Sequence, residues 1–338
     1  MRDRIYTMLR RVLFGVIPAS CILAATPAAF CGEPPLPVMN RDAWTQAADE
    51  NFAGSLRIPA SSQGDIPGAA PVFRDAPAGD NPKLRKVMII ILENTAYQTA
   101  AAQPFMSYFA GQGALLTNLE AETHPSQGNY IALTAGDYYG VTTDKPVNLD
   151  VRHIANLLEA RGLTWKVYAQ GYPGGCYLGA KAGNYVRKHV PFLSYTGVQK
   201  DPGECANIVA DSELKRDIAA GRLPEFSLFI PDIRNDGHDT GAAYADKWLA
   251  SYFGPLMKDP AFMKDMLLVI TFDEDDKSTS ENRVYTALYG PAVAPGSVSD
   301  AGYTHYSLLR TIEDGLKLGT LGRNDASAPP ITGIWNQQ

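Results

Sequence analysis

The feature that most constrains the fold is a short, unbroken apolar run that recurs along the chain. Its first copy, Val-Met-Ile-Ile-Ile-Leu at residues 87–92, contains no polar residue and is rich in β-branched side chains. A strand of this composition is buried on both faces, as in a parallel sheet covered by helices on each side. Similar runs at residues 164–168, 226–230 and 266–272 predict further strands of the same kind.

Stretches of helical periodicity alternate with these runs. The spacing of apolar residues predicts helices over residues 153–161, 204–220, 242–253 and 306–316. The alternation predicts an α/β fold with a mostly parallel central sheet and helices on both faces. The chain has 338 residues and is 45% hydrophobic, so it can bury a large core, and its length does not require a second large domain.

The N-terminal region differs from the rest. Arginines precede a largely apolar stretch that ends among small residues, which predicts a secretory signal peptide over residues 1–31. A membrane anchor is the alternative, although Pro18 interrupts the run, and a lipoprotein signal through Cys21 fits poorly because that proline stands just before it. Residues 32–82, rich in Pro, Ala, Gly, Ser and Asp, predict an extended arm, so residues 83–338 form the predicted catalytic domain.

Export bears on the two cysteines that lie in the predicted domain. An oxidising compartment permits a disulfide between Cys176 and Cys205, and two unrelated free thiols are the alternative. We expect the disulfide, because exposed free cysteines are uncommon in exported proteins.

Charge and missing motifs exclude several functions. A net charge of −6 argues against a nucleic-acid-binding protein, which normally carries a basic face. The sequence has no Walker-type loop, no dinucleotide glycine fingerprint, no nucleophile elbow and no His-Glu-x-x-His motif. Any phosphate chemistry would therefore need a cation or a local polar cradle.

Acidic side chains follow three of the predicted strands. Glu93 and Asn94 follow the first strand, Asp232 follows the third, and Asp273 and Glu274 follow the fourth. Taken singly, Glu93 could be a solvated loop residue or a helix cap, and the Asp273-Glu274 pair could be an acidic turn. However, parallel strands end at one edge, and a carboxylate cluster there repels itself unless a hard divalent cation sits in it. The coincidence predicts a metal site.

The segment Thr-His-Pro-Ser-Gln-Gly-Asn-Tyr at residues 123–130 is the second informative stretch. Pro125 and Gly128 break regular structure around Ser126, and a helix can begin near Asn129. Ser126 would then lie at a helix N-terminus, where backbone N–H groups favour an anion and a nearby cation could activate the hydroxyl. On local sequence alone, the pattern favours a simple helix cap at Ser126 over a catalytic role.

These segments together resemble the phosphoesterase family of acid phosphatases and non-haemolytic phospholipases C, a branch of the alkaline-phosphatase superfamily. The segments that carry the resemblance are residues 91–94, 123–130, 231–239, 270–274 and 305–313. The resemblance implies an alkaline-phosphatase-like three-layer sandwich. It also implies hydrolysis of phosphoric esters with Ser126 as nucleophile.

The resemblance further implies roles for individual residues. Those expected to surround a divalent metal ion are Glu93, Asn94, Ser126, Asp273 and Glu274. The residues where the superfamily keeps a second metal are Asp232, His238 and His305. Glu274 stands where the two-zinc pattern has a ligating histidine, so the second metal is in doubt and His238 and His305 are expected to bind phosphate or shuttle protons. The remaining substrate-binding candidates are Asn94, Asn129, His124, Lys188 and His189.

The resulting expectation is a secreted, metal-dependent acid phosphatase that cleaves small phosphomonoesters through a phosphoseryl intermediate on Ser126. We expect no nucleic-acid partner and no stable membrane insertion once the signal peptide is removed. A phosphodiesterase or phospholipase C acting on lipid head groups is one alternative. A catalytically silent exported binding protein on the same scaffold is another, against which the intact Ser126 and its acidic neighbours argue.

Overall fold

The structure, a computed structural model, describes residues 82–278 and 280–336. The predicted signal peptide and, apart from Pro82, the predicted arm lie outside these residues. Within the described ranges, no helix is both long enough and apolar enough to cross a membrane.

Strands and helices alternate along most of the described chain. The strands are β1 Lys86–Leu92, β2 Ala114–Glu120, β3 Trp165–Ala169, β4 Lys181–Ala182, β5 Tyr185–Val186, β6 Ile208–Ala210, β7 Phe226–Ile230, β8 Met266–Phe272, β9 Arg283–Tyr289, β10 Ser297–Ser299 and β11 Tyr303–Thr304. The α-helices are α1 Tyr97–Ala101, α2 Pro104–Gln112, α3 Gln127–Ala135, α4 Ile154–Ala160, α5 Thr196–Lys200, α6 Pro202–Cys205, α7 Ser212–Ala219, α8 Ala242–Leu256, α9 Pro260–Met263, α10 His305–Gly315 and α11 Asn324–Ser327. Short 3-10 helices span Arg187–His189 and Pro191–Ser194.

One large sheet organises the domain. Its strand order is β10-β2-β9-β8-β1-β7-β3-β6, with β11 paired to β2. All neighbouring strands in it run parallel except β9, which is antiparallel to both β2 and β8. Since β2 and β8 both oppose β9, they share a direction, and the carboxyl ends of β1, β2, β7 and β8 meet at one edge.

The central strands are buried on both faces. Every side chain of β7 and of β8 is buried. Successive side chains of a strand point to opposite faces, so both faces of the sheet are covered. The predicted α/β fold with a mostly parallel central sheet is confirmed, and β7 and β8 coincide with the predicted runs at 226–230 and 266–272.

The predicted helix over residues 204–220 is wrong in its first half. Helix α6 ends at Cys205, Ile208–Ala210 forms an edge strand parallel to β3, and α7 begins only at Ser212. The β-branched pair Ile208-Val209 fits a strand, and pairing with β3 outweighs the helical periodicity.

The apolar runs did not predict strands β2 and β9, because polar residues such as Thr117 and Thr286 lie within them. Tertiary pairing, rather than local composition, makes these segments strands.

The predicted disulfide between Cys176 and Cys205 is present, and it joins Cα atoms 5.6 Å apart. It links the long loop after β3 to helix α6.

Candidate active site

Ser126 stands at the N-terminus of α3, as predicted. The Asn129 side chain shapes the preceding loop: its Oδ1 accepts hydrogen bonds from the backbone N–H groups of Glu122 and Thr123, both at 3.0 Å, and its Nδ2 donates to the Thr123 carbonyl at 2.8 Å. Gly128 is required because a Cβ there would lie 2.5 Å from Thr123 Cγ2 and within 2.6 Å of a backbone carbonyl oxygen. The loop therefore delivers Ser126 to the helix start with little freedom.

The ends of β1 and β8 bring acidic groups to this serine. Ser126 Oγ lies 3.0 Å from Glu93 Oε2 and 3.1 Å from Glu274 Oε1, either of which can accept its single proton. Asn94 Nδ2 donates to Glu274 Oε1 at 2.7 Å, and the Asn94 backbone N–H lies 3.3 Å from Asp273 Oδ1. The residues of the first predicted metal site thus converge around one hydroxyl.

Like charges in this cluster are only partly neutralised by the protein. Burial raises the pKa of Glu93, and burial followed by the nearby Glu93 and Glu274 raises the pKa of Asp273 well above its usual range. Asp273 Oδ2 and Asn94 Oδ1 are buried without a hydrogen-bond partner in the described part of the chain. Carboxylate, amide and hydroxyl oxygens with unused lone pairs fit a hard divalent cation.

The spacing of the acidic groups is a separate question from their chemistry. Within residues 82–278 and 280–336, no group of three or more His, Cys, Asp or Glu side chains has the arrangement that could hold a metal ion. A divalent cation here stays a prediction, supported by a donor set that also includes the oxygen atoms of Asn94 and Ser126.

His189 lies against Glu93 in the buried interior. Its Nε2 is 3.0 Å from Glu93 Oε1, its Nδ1 is 3.4 Å from Asp236 Oδ2, and its ring stacks on Tyr130 with centroids 5.2 Å apart. The Tyr130 hydroxyl also donates to Glu93 Oε1 at 2.6 Å. Burial lowers the pKa of His189 to about 4, although Glu93 opposes that shift, so the imidazole is neutral at physiological pH.

Tyr130 and Asp236 are functional candidates that sequence reasoning missed. Burial raises the pKa of Asp236 to about 8, although hydrogen bonding from the His238 backbone lowers it. Asp236 lies in the segment 231–239 that carries the family resemblance, two residues before His238, and that position was the available clue.

Lys188 and His124 complete the polar contacts of the cluster. Lys188 Nζ donates to Ser126 Oγ at 3.3 Å and to Asp144 Oδ2 at 2.8 Å. Burial lowers the pKa of Lys188, but Glu93 and Asp144 outweigh that effect and the net pKa is raised, so the side chain is a cation. His124 contacts Glu274 through Nδ1, and its Nε2 lies 3.6 Å from Asp275 Oδ1.

The sequence matches the phosphoesterase family over residues 93–319, a range that contains all of these side chains. The chain belongs to the phosphoesterase family. A probable acid phosphatase from Kluyveromyces lactis is 35% identical over 256 residues, which cover 72% of this chain and 61% of that protein. The chain therefore spans about three fifths of the length of this fungal relative.

Two further similarities concern a bacterial relative and the fold. The phosphatidylinositol-3-phosphatase of Mycobacterium tuberculosis is 34% identical over 259 residues, covering 75% of this chain and 84% of that protein. A crystal structure of a protein in the alkaline phosphatase superfamily from Vibrio parahaemolyticus matches with a TM-score of 0.52 and 14% identity, covering 75% of this chain and 71% of that one. At that identity the likeness concerns the fold, and it agrees with the predicted alkaline-phosphatase-like architecture.

Within the described residues of this chain, each residue predicted for a second metal has its own hydrogen-bond or ion-pair partners. Asp232 Oδ1 accepts from the backbone N–H groups of Arg234 and Asn235, at 3.0 and 3.1 Å, and so closes its own turn. His238 is partly exposed, with Nδ1 2.7 Å from Asp239 Oδ1.

His305 is buried, with Nδ1 2.7 Å from Glu122 Oε2 and Nε2 3.0 Å from the Phe272 carbonyl oxygen. It thus links the loop before Ser126 to the end of β8. Asn129, predicted to bind substrate, uses its amide on the loop backbone instead.

Proposed function

We propose that this phosphoesterase is an exported, metal-dependent phosphatase that hydrolyses phosphomonoesters through a phosphoseryl intermediate on Ser126. The observation that carries the proposal is a single hydroxyl at a helix N-terminus, within hydrogen-bond distance of Glu93, Glu274 and Lys188. Such a group has proton acceptors on one side and a cation beside it, which is what a serine nucleophile needs. The names of the two relatives, an acid phosphatase and a phosphatidylinositol phosphatase, support phosphomonoesters as the substrate class.

Glu93, Asn94, Ser126, Asp273 and Glu274 would hold one divalent ion. When bound, such an ion would offset the repulsion among the carboxylates and lower the pKa of the serine hydroxyl.

The side chains supply the steps of the reaction. Ser126 Oγ attacks phosphorus, the new Oγ–P bond forms as the bond to the leaving-group oxygen breaks, and the serine proton passes to Glu93 or Glu274. Lys188 and the backbone N–H groups at the start of α3 stabilise the negative phosphoryl oxygens. Water then attacks phosphorus and the Oγ–P bond breaks, so that phosphate leaves; Glu93 or Glu274 returns its proton to Ser126 Oγ, and His238 takes a proton from the attacking water.

The histidines divide the remaining work. His238 protonates the leaving-group oxygen, since Asp239 holds its Nδ1 and the side chain remains accessible. His305 has both ring nitrogens engaged, so it acts as a positioning residue that holds the end of β8 beside the serine loop.

Export is part of the proposal. The Cys176–Cys205 disulfide is of the kind that persists in oxidising compartments. It agrees with the signal peptide predicted over residues 1–31.

The decisive experiment is Ser126→Ala, compared with Ser251→Ala at an exposed serine far along the chain on α8. We expect Ser126→Ala to abolish hydrolysis of p-nitrophenyl phosphate while its circular dichroism and melting temperature match wild type, and Ser251→Ala to be unaffected. In samples quenched with acid during turnover, mass spectrometry should detect one phosphoryl group on the peptide that contains Ser126. Near-normal turnover of Ser126→Ala would overturn the assignment.

A substrate panel separates the alternatives. Faster hydrolysis of monoesters than of matched diesters is expected, whereas a preference for diesters would favour the phospholipase C reading. Failure to hydrolyse any phosphoester in the presence of added Mg²⁺, Mn²⁺, Ca²⁺ or Zn²⁺ would favour a silent binding protein.

A further inference from the structure

We propose that Asp144 is a positioning residue which, together with Gln127, holds the Lys188 ammonium group on the Ser126 hydroxyl. This inference rests on the proposed function, since it assigns a role toward the same nucleophile. Asp144 lies in the loop after α3, and Lys188 lies in the 3-10 helix Arg187–His189, so neither is adjacent in sequence to the other or to Ser126.

The loop that carries Asp144 is held by Gln127, the first residue of α3. The Gln127 side chain is buried, and its Nε2 donates to the Thr143 carbonyl at 2.9 Å and to the Lys145 carbonyl at 2.8 Å. These bonds fix the backbone on both sides of Asp144. The same Gln127 donates its backbone N–H to Asp144 Oδ1 at 3.2 Å.

The other carboxylate oxygen of Asp144 faces Lys188. Asp144 Oδ2 lies 2.8 Å from Lys188 Nζ, which in turn lies 3.3 Å from Ser126 Oγ. A lysine ammonium is a point charge on a flexible four-carbon stem, so a single contact with the serine would leave it many orientations. The contact with Asp144 restricts that freedom.

Stability does not explain this arrangement. The Asp144 side chain is 38% exposed and the Lys188 side chain 16%, so solvent weakens this ion pair and its contribution to folding is small. Placement of a reacting group matters more, because a displacement of about 1 Å can cost about a hundredfold in rate.

A competing role for Asp144 is to cap α3 through the Gln127 N–H alone. The two roles differ in their dependence on Lys188. A cap stabilises the helix whether or not the lysine is present, whereas a positioning residue has nothing to position once the lysine is gone.

The test is a double-mutant cycle in the full chain, with p-nitrophenyl phosphate as substrate. Lys188→Ala should lower kcat/KM about a hundredfold, as loss of one charge-stabilising donor does. Asp144→Ala should lower it about tenfold, and the double variant should equal Lys188→Ala. Asp144→Asn keeps an acceptor for the Gln127 N–H but loses the charge, so it should behave like Asp144→Ala.

Asp150→Ala is the matched control, because Asp150 is an exposed loop aspartate whose carboxylate accepts from the Thr196 hydroxyl at 3.0 Å, and its kcat/KM should equal wild type. Equal melting temperatures would show that the variants are folded. Wild-type activity of Asp144→Ala, wild-type activity of Asp144→Asn, or the same loss from Asp144→Ala with and without Lys188 would each overturn the inference. Ser126→Ala assayed in parallel separates the two proposals, since its inactivity would leave the nucleophile assignment standing even then.

Discussion

The two ends of helix α3 each carry a buried carboxyl cluster, and the clusters are built in different ways. At the N-terminal end, Glu93, Asp273 and Glu274 surround Ser126. At the C-terminal end, Gly136 packs against Asp325, which in turn lies beside Glu313 of α10. The residue types are the same, so the contrast shows what their surroundings decide.

The C-terminal cluster solves its charge problem with a proton. Asp325 accepts hydrogen bonds from the backbone N–H groups of Leu321 at 2.7 Å and Arg323 at 2.8 Å. Burial, followed by the nearby Asp325, raises the pKa of Glu313 well above its usual range. Glu313 therefore keeps its proton beside Asp325, and the two backbone donors hold the one remaining negative charge.

Gly136 allows this close approach. Its φ is +73°, and a Cβ there would lie 2.4 Å from Asp325 Oδ1. The helix end and the carboxylate can touch only because position 136 has no side chain.

The N-terminal cluster lacks such a resolution among protein groups. Its carboxylates accept hydrogen bonds from the Ser126 hydroxyl, the Asn94 amide and the Tyr130 hydroxyl, and Asp273 Oδ2 is left without a partner in the described residues. An arrangement of this kind is costly for folding, and under the proposed function it serves catalysis, whereas no catalytic role is proposed for the C-terminal cluster.

The largest expected effect comes from Asp273→Asn at the N-terminal cluster. Activity should fall about a thousandfold, because the variant loses a carboxylate of the proposed metal site beside the proposed nucleophile Ser126. The melting temperature without metal should stay equal or rise, since the amide replaces a buried carboxyl group whose ionisation is opposed by its burial and by its acidic neighbours. Added divalent metal should raise the melting temperature of wild type, measured by calorimetry, but not that of the variant.

Asp150→Asn, in an exposed loop, serves as the control for that substitution. Wild-type activity of Asp273→Asn would contradict a functional role for the N-terminal cluster. So would an equal rise in melting temperature on addition of metal to wild type and to Asp273→Asn.

Asp325→Ala at the C-terminal cluster should show the reverse pattern. It leaves two partly buried backbone N–H groups without acceptors, so the free energy of unfolding in urea should fall by about 2 kcal/mol. The kcat of the folded fraction should stay close to wild type, because Asp325 is at the far end of the helix. A stable variant with little activity would contradict a purely structural role.

Glu313→Gln gives the smallest effect. The pH dependence of its stability tests whether Glu313 carries a proton in the folded protein. A carboxyl group whose folded pKa is raised contributes stability that is complete below its unfolded pKa, ~4.3, and is lost as pH rises toward the folded pKa. Above that lower limit, the unfolding free energy of wild type should fall relative to the variant by up to ~1.4 kcal/mol per pH unit.

Urea unfolding at several pH values between about 4 and 7 measures this difference. Glu281→Gln, at a side chain 63% exposed, is the control and should show no such trend. A difference in unfolding free energy between wild type and Glu313→Gln that stays constant with pH would contradict a protonated Glu313.

Several features of the site could be predicted from sequence, because they depend on local composition and on a general property of parallel sheets. The runs at 226–230 and 266–272 were sufficient to predict β7 and β8, since strands buried on both faces are built mostly from apolar side chains. Glu93 and Asp273 were expected together because strands of one direction end at one edge, and the structure brings both to Ser126.

Other features required the folded chain. Asn129 and Asp232 carry side chains suited to ligand binding, yet both turn back to nearby backbone N–H groups, and the path of the loop decides that outcome. Asp144 stands in a segment without a distinctive pattern, and Asp236 and Glu313 stand in segments whose resemblance did not reveal the partners of these two side chains.

By itself, the sequence determined the central strands of the sheet, the serine at the start of a helix and the acidic residues at the strand ends, because each follows from neighbouring residues or from strand direction. Only the tertiary structure decided which acidic group keeps a proton, which one faces a lysine and which one has an oxygen without a hydrogen-bond partner among the described residues. The reason is physical: Glu274 reaches Ser126 across 148 residues and Lys188 reaches Asp144 across 44, and hydrogen bonds, burial and pKa all depend on such distant partners.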